Sequence, residues 1–219
     1  MLEALGGSLS AAVGIAISPV PIIATILMLL APRARSASIG FAVGWLVGIV
    51  VAVGVMGALA QSLDGGPLLG STARVVIYAV LGLLLLALAW REFRHRAEGG
   101  MPGWMSAIDS MSVGKAAALG AAFSALNPKN LGLAAVAGVD IGGAGLPAAE
   151  TFVTVLVFAL LAGSTVLIPV IAYLLVPGRI ADPLDSLKNW LTANNHTVMA
   201  VLLLVLGVAV LGKALTYAG

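Results

Sequence analysis

Apolar residues fill six stretches of this chain, each near the length of about 20 residues that a helix needs to cross a hydrocarbon core of about 30 Å. They run approximately from Leu5 to Leu30, Ser36 to Ala60, Thr72 to Trp90, Lys115 to Val139, Pro147 to Val176 and Thr197 to Tyr217. The pattern predicts an all-α membrane protein of six transmembrane helices, with the whole chain as one transmembrane domain. Two runs are interrupted from within, by Ser18-Pro19-Val20-Pro21 and by Asn127-Pro128-Lys129-Asn130. Proline removes a backbone donor and frees a carbonyl that lipid cannot satisfy, so such breaks are expected to face a cavity rather than lipid. Pro19 and Pro128 lie 109 positions apart in 219 residues, half the chain. Broken helices at matching places in two halves are the sequence pointer to a transporter built from two repeats around a midplane site. The expected organisation is a 3+3 inverted repeat with broken first and fourth helices. Residues 1–98 form the first repeat, 99–114 a cytoplasmic linker containing Gly99-Gly100-Met101-Pro102-Gly103, and 115–219 the second repeat.

A polar-apolar alternation of a different kind occupies about 180–191. Leu184, Leu187, Trp190 and Leu191 fall on one helical face, with Asp185 and Lys188 on another. A short amphipathic helix on the cytoplasmic interface accounts for this pattern, with a plain loop as the alternative.

Composition sharpens the class. The chain is 61% hydrophobic and 9% charged, against about 45–50% and about 25% in soluble domains, which excludes a soluble fold. Cysteine is absent and histidine occurs twice, so no disulfide framework or thiolate metal site exists and no metal or other cofactor is expected. A net charge of +2 is too small to imply nucleic acid. Its placement is more informative. Eight of the 11 basic residues, Arg33, Arg35, Arg91, Arg94, Arg96, Lys115, Arg179 and Lys188, fall on alternate connections; Arg74 and Lys213 fall on the other side, and Lys129 lies within a run. By the positive-inside rule the eight are cytoplasmic and both termini are not. Met1 to Ser10 lacks a basic segment, so the first run is expected to stay in the mature protein rather than act as a signal peptide.

Lys129 is the one charge well inside a run, where a lysine costs about 2.5–3.5 kcal/mol on insertion scales. Three readings offset that cost. The amide oxygens of Asn127 and Asn130 and the carbonyls freed by Pro128 could hold the ammonium locally; an anionic substrate or headgroup could hold it; or it could snorkel to an interface. Ser18 and Thr25 in the first run, with Ser124 in the fourth, are the remaining polar groups near the breaks. Each can bond its own helix instead of a ligand. The candidate substrate-binding set is therefore Ser18, Pro19, Pro21, Thr25, Ser124, Asn127, Pro128, Lys129 and Asn130.

Gly40, Gly44 and Gly48 place a smooth stripe on the second run, a helix-packing signal whose partner is either another span or another subunit. Ala159 and Gly163 repeat the spacing in the fifth, where Pro169 marks a kink or hinge. Asp140 and Glu150 flank a glycine-rich segment and are expected to be solvated loop charges. No titratable pair is spaced to act as acid and base on one helix face, so an enzyme is not expected. No phosphate-cradling glycine loop ending in Lys-Ser/Thr occurs, so direct ATP drive is not expected either.

The six-run size, the Pro19 and Pro21 pair and the Asn127-Pro128-Lys129 triplet opening the second half resemble the lysine-exporter (LysE) superfamily. Ser18-Pro-Val-Pro-Ile-Ile-Ala, Ser124-Ala-Leu-Asn-Pro-Lys-Asn and Val136-Ala-Gly-Val-Asp-Ile-Gly resemble its actinobacterial peptidoglycolipid-addressing or sulfolipid-addressing branch. The likeness covers nearly the whole chain. The superfamily implies an exporter of 3+3 inverted repeats and a homodimer, with Pro19, Pro21, Asn127, Pro128 and Lys129 shaping the site. The branch implies movement of glycolipids or lipid-linked precursors across the bacterial inner membrane. Amino-acid exporters of the superfamily often read Pro-Gly-Pro where this chain has Pro19-Val20-Pro21, and valine limits close backbone approach there. A lipid or glycolipid flippase is thus the leading expectation. The alternatives are an exporter of a small solute such as an amino acid or cation, and a non-transporting scaffold for a lipid synthase or larger exporter.

Overall fold

A computed structural model describes residues 1–64, 71–95, 108, 111–176 and 181–216. Among them the chain is helical: α1 (Leu2–Ala16), α2 (Pro19–Leu30), α3 (Ala34–Asp64), α4 (Ser71–Arg94), α5 (Val113–Ala125), α6 (Pro128–Gly142), α7 (Ala148–Ala162), α8 (Ser164–Leu175) and α9 (Ala181–Thr216). Three helices are each long and apolar enough to cross a bilayer, within Ala34–Leu59, Val75–Arg94 and Asp182–Thr216. The bent pairs α1–α2 (53°) and α7–α8 (69°) raise that to five when each is counted as one span. The protein is a multi-pass helical membrane protein.

The prolines act where the sequence places them. A proline disfavours the helical region for the residue before it, and Ser18 (ψ 114°) and Asn127 (ψ 122°) are both extended. Each serves as N-cap to a helix that begins on the following proline, a position where the missing N–H is no loss. The fifth run behaves otherwise. Pro169 lies inside α8, and the break falls six residues earlier at Gly163. A side chain there would press on Leu46 of α3, with a Cβ placed 2.8 Å from its Cδ2, so the bend brings α3 against a residue with nothing to displace.

α3 is the hub. Phe41, Trp45, Ile49 and Val53 are buried; the Phe41 ring stacks on Trp45 with centroids 6.4 Å apart and meets Phe123 of α5 edge-on at 6.2 Å. The partner of the glycine stripe is α5 of the same chain. A Cβ on Gly40 would lie 2.5 Å from the Val113 carbonyl oxygen, one on Gly44 would overlap the Ala117 carbonyl, and one on Gly48 would overlap the Ser124 hydroxyl. Gly120 returns the contact, closing on Phe41 and Trp45 backbone. α4 and α9 pair through Gly82 and Gly207, which receive Leu211 and Leu86. Their outer faces, with Val76, Val80 and Leu83 on α4 and Val201, Leu204 and Val208 on α9, are exposed, as lipid contact requires.

Two expectations change. The amphipathic segment at about 180–191 is not a separate helix. It is the first part of the 36-residue α9, whose length of about 54 Å at 1.5 Å per residue exceeds a bilayer core by several turns. Leu184 and Leu191 pack inward while Leu187 and Trp190 are exposed, so the four apolar residues do not share one buried face. Asp140 is not a loop charge either. α6 continues through it to Gly142, because Gly138 and Gly142 let that helix press against Gly57 and Met56 of α3. Glu150 does sit outside the packed interior, in the first turn of α7. Most of the 99–114 linker, with Arg96 and Arg179, lies outside the described residues.

Candidate functional site

The two proline breaks meet. At the first, Ser18 N–H bonds the Ile15 carbonyl at 3.2 Å, tightening the last turn because Pro19 has no N–H to offer. An uninterrupted α-helix would have turned Ser18 N–H to Gly14. The Gly14 carbonyl instead accepts from the Lys129 ammonium at 2.7 Å. Lys129 also donates to Ser18 Oγ at 2.5 Å, and the Ser18 hydroxyl donates to Asn130 Oδ1 at 3.3 Å. At the second break, the Asn130 amide donates to the Phe123 carbonyl at 2.9 Å, near the end of α5. Asn127 Oδ1 accepts from Lys129 N–H at 3.0 Å, capping α6 and fixing the backbone that carries the ammonium.

Lys129, Asn130 and Ser18 are 2%, 1% and 3% exposed, so the cluster is closed to both faces. Its charge balance is unusual. The oxygens that Lys129 touches belong to a carbonyl and a hydroxyl, both neutral, and an ammonium has three donors. The cation is thus held by the protein itself, but not by Asn127, Asn130 or the carbonyls freed by Pro128, as the local reading expected: both acceptors come from the first break, with two donors engaged and no carboxylate against it among the described residues. Snorkelling does not occur.

The other sequence candidates divide. Pro19 and Pro21 are buried in the first turn of α2, whereas Pro128 is exposed, so only the first break turns its prolines inward. Thr25 bonds the Pro21 carbonyl at 2.8 Å, and Ser124 bonds the Gly120 and Ala121 carbonyls at 3.1 and 3.0 Å. These hydroxyls satisfy their own helices and do not join the cluster. Gly14 joins it unannounced. The signal was there in principle: the carbonyl four residues before the last N–H ahead of a proline break is the one that loses its donor.

A second polar cluster was missed. Asp140 accepts from Tyr78 OH at 2.6 Å through one oxygen and from Lys213 at 2.5 Å through the other, and Lys213 also donates to the Gly7 carbonyl at 2.5 Å. Four helices, α1, α4, α6 and α9, are tied together there. The cluster borders a cavity of about 570 Å³ lined by Glu3, Gly7, Asp140, Gly143, Lys213 and Thr216 among others. Opposite charges in the second half, Asp140 just after the fourth apolar run and Lys213 near the end of the sixth, were the available signal. Asp140→Asn is expected to lower stability by about 1–3 kcal/mol, below the about 3–5 kcal/mol of a fully buried pair because the Lys213 side chain is 24% exposed. Unfolding of the detergent-solubilised protein measures it, and D140N/K213M should recover most of the loss.

No group of His, Cys, Asp or Glu among the described residues could hold a metal ion. The model of one protein family, SfLAP, described as Sap, sulfolipid-1-addressing protein, matches residues 9–216. The chain belongs to that family. The match spans both proline breaks and every helix except the first turns of α1, so the SfLAP relationship covers the Lys129 cluster and the side chains of the Asp140 cluster, with Gly7 outside it. No curated protein and no solved structure matches the chain.

Proposed function

We propose that this SfLAP-family protein moves an anionic lipid or glycolipid, or its lipid-linked precursor, across the bacterial cytoplasmic membrane by alternating access between two three-helix halves. The observation that carries the reading is the Lys129 ammonium, lodged between breaks contributed by the two halves and facing neutral oxygens alone. A cation placed there at a cost of about 2.5–3.5 kcal/mol is repaid when a phosphate or sulfate headgroup replaces Ser18 or Gly14 as its acceptor. Tails would stay in lipid, which suits a site with so few polar groups; a soluble polar solute would need more convergent partners. The family description, with its reference to a sulfolipid, points the same way.

In this reading α5–α6 is the sixth crossing beside α1–α2, α3, α4, α7–α8 and α9, and the termini lie on the non-cytoplasmic side. Two features support it. Met1 and Thr216 border the same cavity, as an even number of crossings requires. Arg33, Arg35, Arg91, Arg94 and Lys115 flank helix ends remote from it, which the positive-inside rule makes cytoplasmic. The Asp140 cluster then closes the outer end, and rocking of the halves opens it. The protein acts as a carrier rather than an enzyme in this scheme.

The experiment is reconstitution of the purified chain in liposomes with a headgroup-fluorescent anionic lipid, reading translocation as loss of protection from a membrane-impermeant quencher. Transport faster than in protein-free liposomes is expected. Efflux of a loaded amino acid without lipid movement would establish the small-solute exporter instead, and movement of neither would leave the scaffold.

A further inference from the structure

At the arginine-rich end an apolar groove of about 510 Å³ runs between α4 and α9, lined by Leu86, Ala89, Phe93, Ala200, Val201 and Leu204. Trp90 lines it too and also borders a second cavity of about 440 Å³, shared with Arg91, Arg94 and His95. The two spaces thus meet at Trp90, one with an otherwise apolar lining and the other with an otherwise basic one. We propose that this composite groove binds one anionic diacyl lipid of the surrounding membrane, with an acyl chain between α4 and α9 and the headgroup on Arg91 and Arg94.

Geometry and charge agree. Leu86 to Arg94 covers about 12 Å of helix rise, so groove and arginines follow one another along α4 in the order a lipid presents chain and headgroup, with the arginines turned round the helix from Leu86 and Phe93. Arg91 and Arg94 are three residues apart, both exposed and on the same side of α4; two planar guanidinium forks there suit the oxygens of a phosphate or sulfate. The carboxylate between them does not compete, because Glu92 is turned to His196 on α9, with Oε2 2.7 Å from Nδ1. Trp90 and Phe93 stack at 6.2 Å with planes 22° apart, and tryptophan is enriched where spans meet the headgroups. Basic pockets between spans on the cytoplasmic side are a recurring headgroup site. This site is separate from Lys129, which is buried at the helix breaks, and it requires only that the protein reside in a membrane.

The test uses the purified full chain and two lipids with identical tails, dioleoylphosphatidylglycerol and dioleoylphosphatidylcholine, with bound lipid counted by native mass spectrometry. The glycerol lipid is expected to bind at least about tenfold more tightly at low salt. In R91Q/R94Q that preference should fall to near unity, and in A200W, which fills the groove while keeping both arginines, binding of the glycerol lipid should fall by about tenfold. Equal binding of the two lipids to the wild-type chain overturns the proposal whatever the variants do. A preference that persists in both variants transfers the interaction to other cations at that end and overturns it as well.

Discussion

Lys129→Met should slow translocation of an anionic lipid by about 10- to 100-fold while leaving the protein folded. The two effects separate because they rest on different free energies. Replacing a buried ion by an apolar side chain of similar length removes its desolvation penalty, on the order of several kcal/mol per ion. Against that stands the loss of donors to the Gly14 carbonyl and the Ser18 hydroxyl, at about 1–3 kcal/mol for each acceptor left bare. Ser18 keeps Asn130 as a partner, so the net change in stability should stay within about 2 kcal/mol. Transport has no such compensation. A headgroup at the breaks loses a charge-assisted hydrogen bond worth about 1.5–3 kcal/mol, and with it the cation placed between the two breaks. Liposome translocation set beside the detergent unfolding midpoint reads both. A variant with a lowered unfolding midpoint that retains its specific transport rate would assign Lys129 to structure alone.

The second large effect is purely steric. Gly44→Leu is expected to cost more than about 4 kcal/mol and to abolish recovery of monodisperse protein, because its first side-chain carbon already overlaps the Ala117 carbonyl and backbone cannot retreat without parting α3 from α5. That parting would also forfeit the approaches at Gly40, Gly48 and Gly120. Gly44→Ala should show a graded loss of about 1–3 kcal/mol. Gly54 on the same helix has nothing within 4 Å of an added Cβ, so Gly54→Ala should leave stability unchanged or raise it by up to about 1 kcal/mol. Size-exclusion profiles and unfolding midpoints of the three variants check the ordering; a tolerated Gly44→Leu would show that α3 and α5 do not pack as described.

Much of the site was legible because it is written in local chemistry. A proline dictates the conformation of the residue before it and the fate of the donor it lacks, so Ser18 and Asn127 as caps and Pro19 and Pro128 as first helical residues follow from the chain itself. The glycine stripe was legible as packing, but its partner was not, since small residues state closeness without saying to what. The elements that escaped are those decided by distant neighbours. Pro169 carries the local signal for a bend, yet the chain turns at Gly163, where Leu46 needs the space. Asp140 stands before a run of glycines that reads as loop, yet Gly138 and Gly142 use their smallness to pack a helix, which turns the carboxylate toward Tyr78 and Lys213. Lys129 lies between: its burial was legible from depth, and its partners were not, because Gly14 and Ser18 are more than 110 residues away.

The two halves also touch where Thr165 Oγ1 donates to the Ala16 carbonyl at 2.5 Å, beside the first break and outside the Lys129 cluster. The chain has no cysteine, so A16C/T165C carries a unique thiol pair that a short, reducible bifunctional thiol reagent can join. If lipid crosses by parting the breaks around Lys129, joining the pair should cut translocation at least about tenfold and reduction should restore it. Cross-linked protein that moves lipid at the rate of its reduced form would contradict the parting of the two halves.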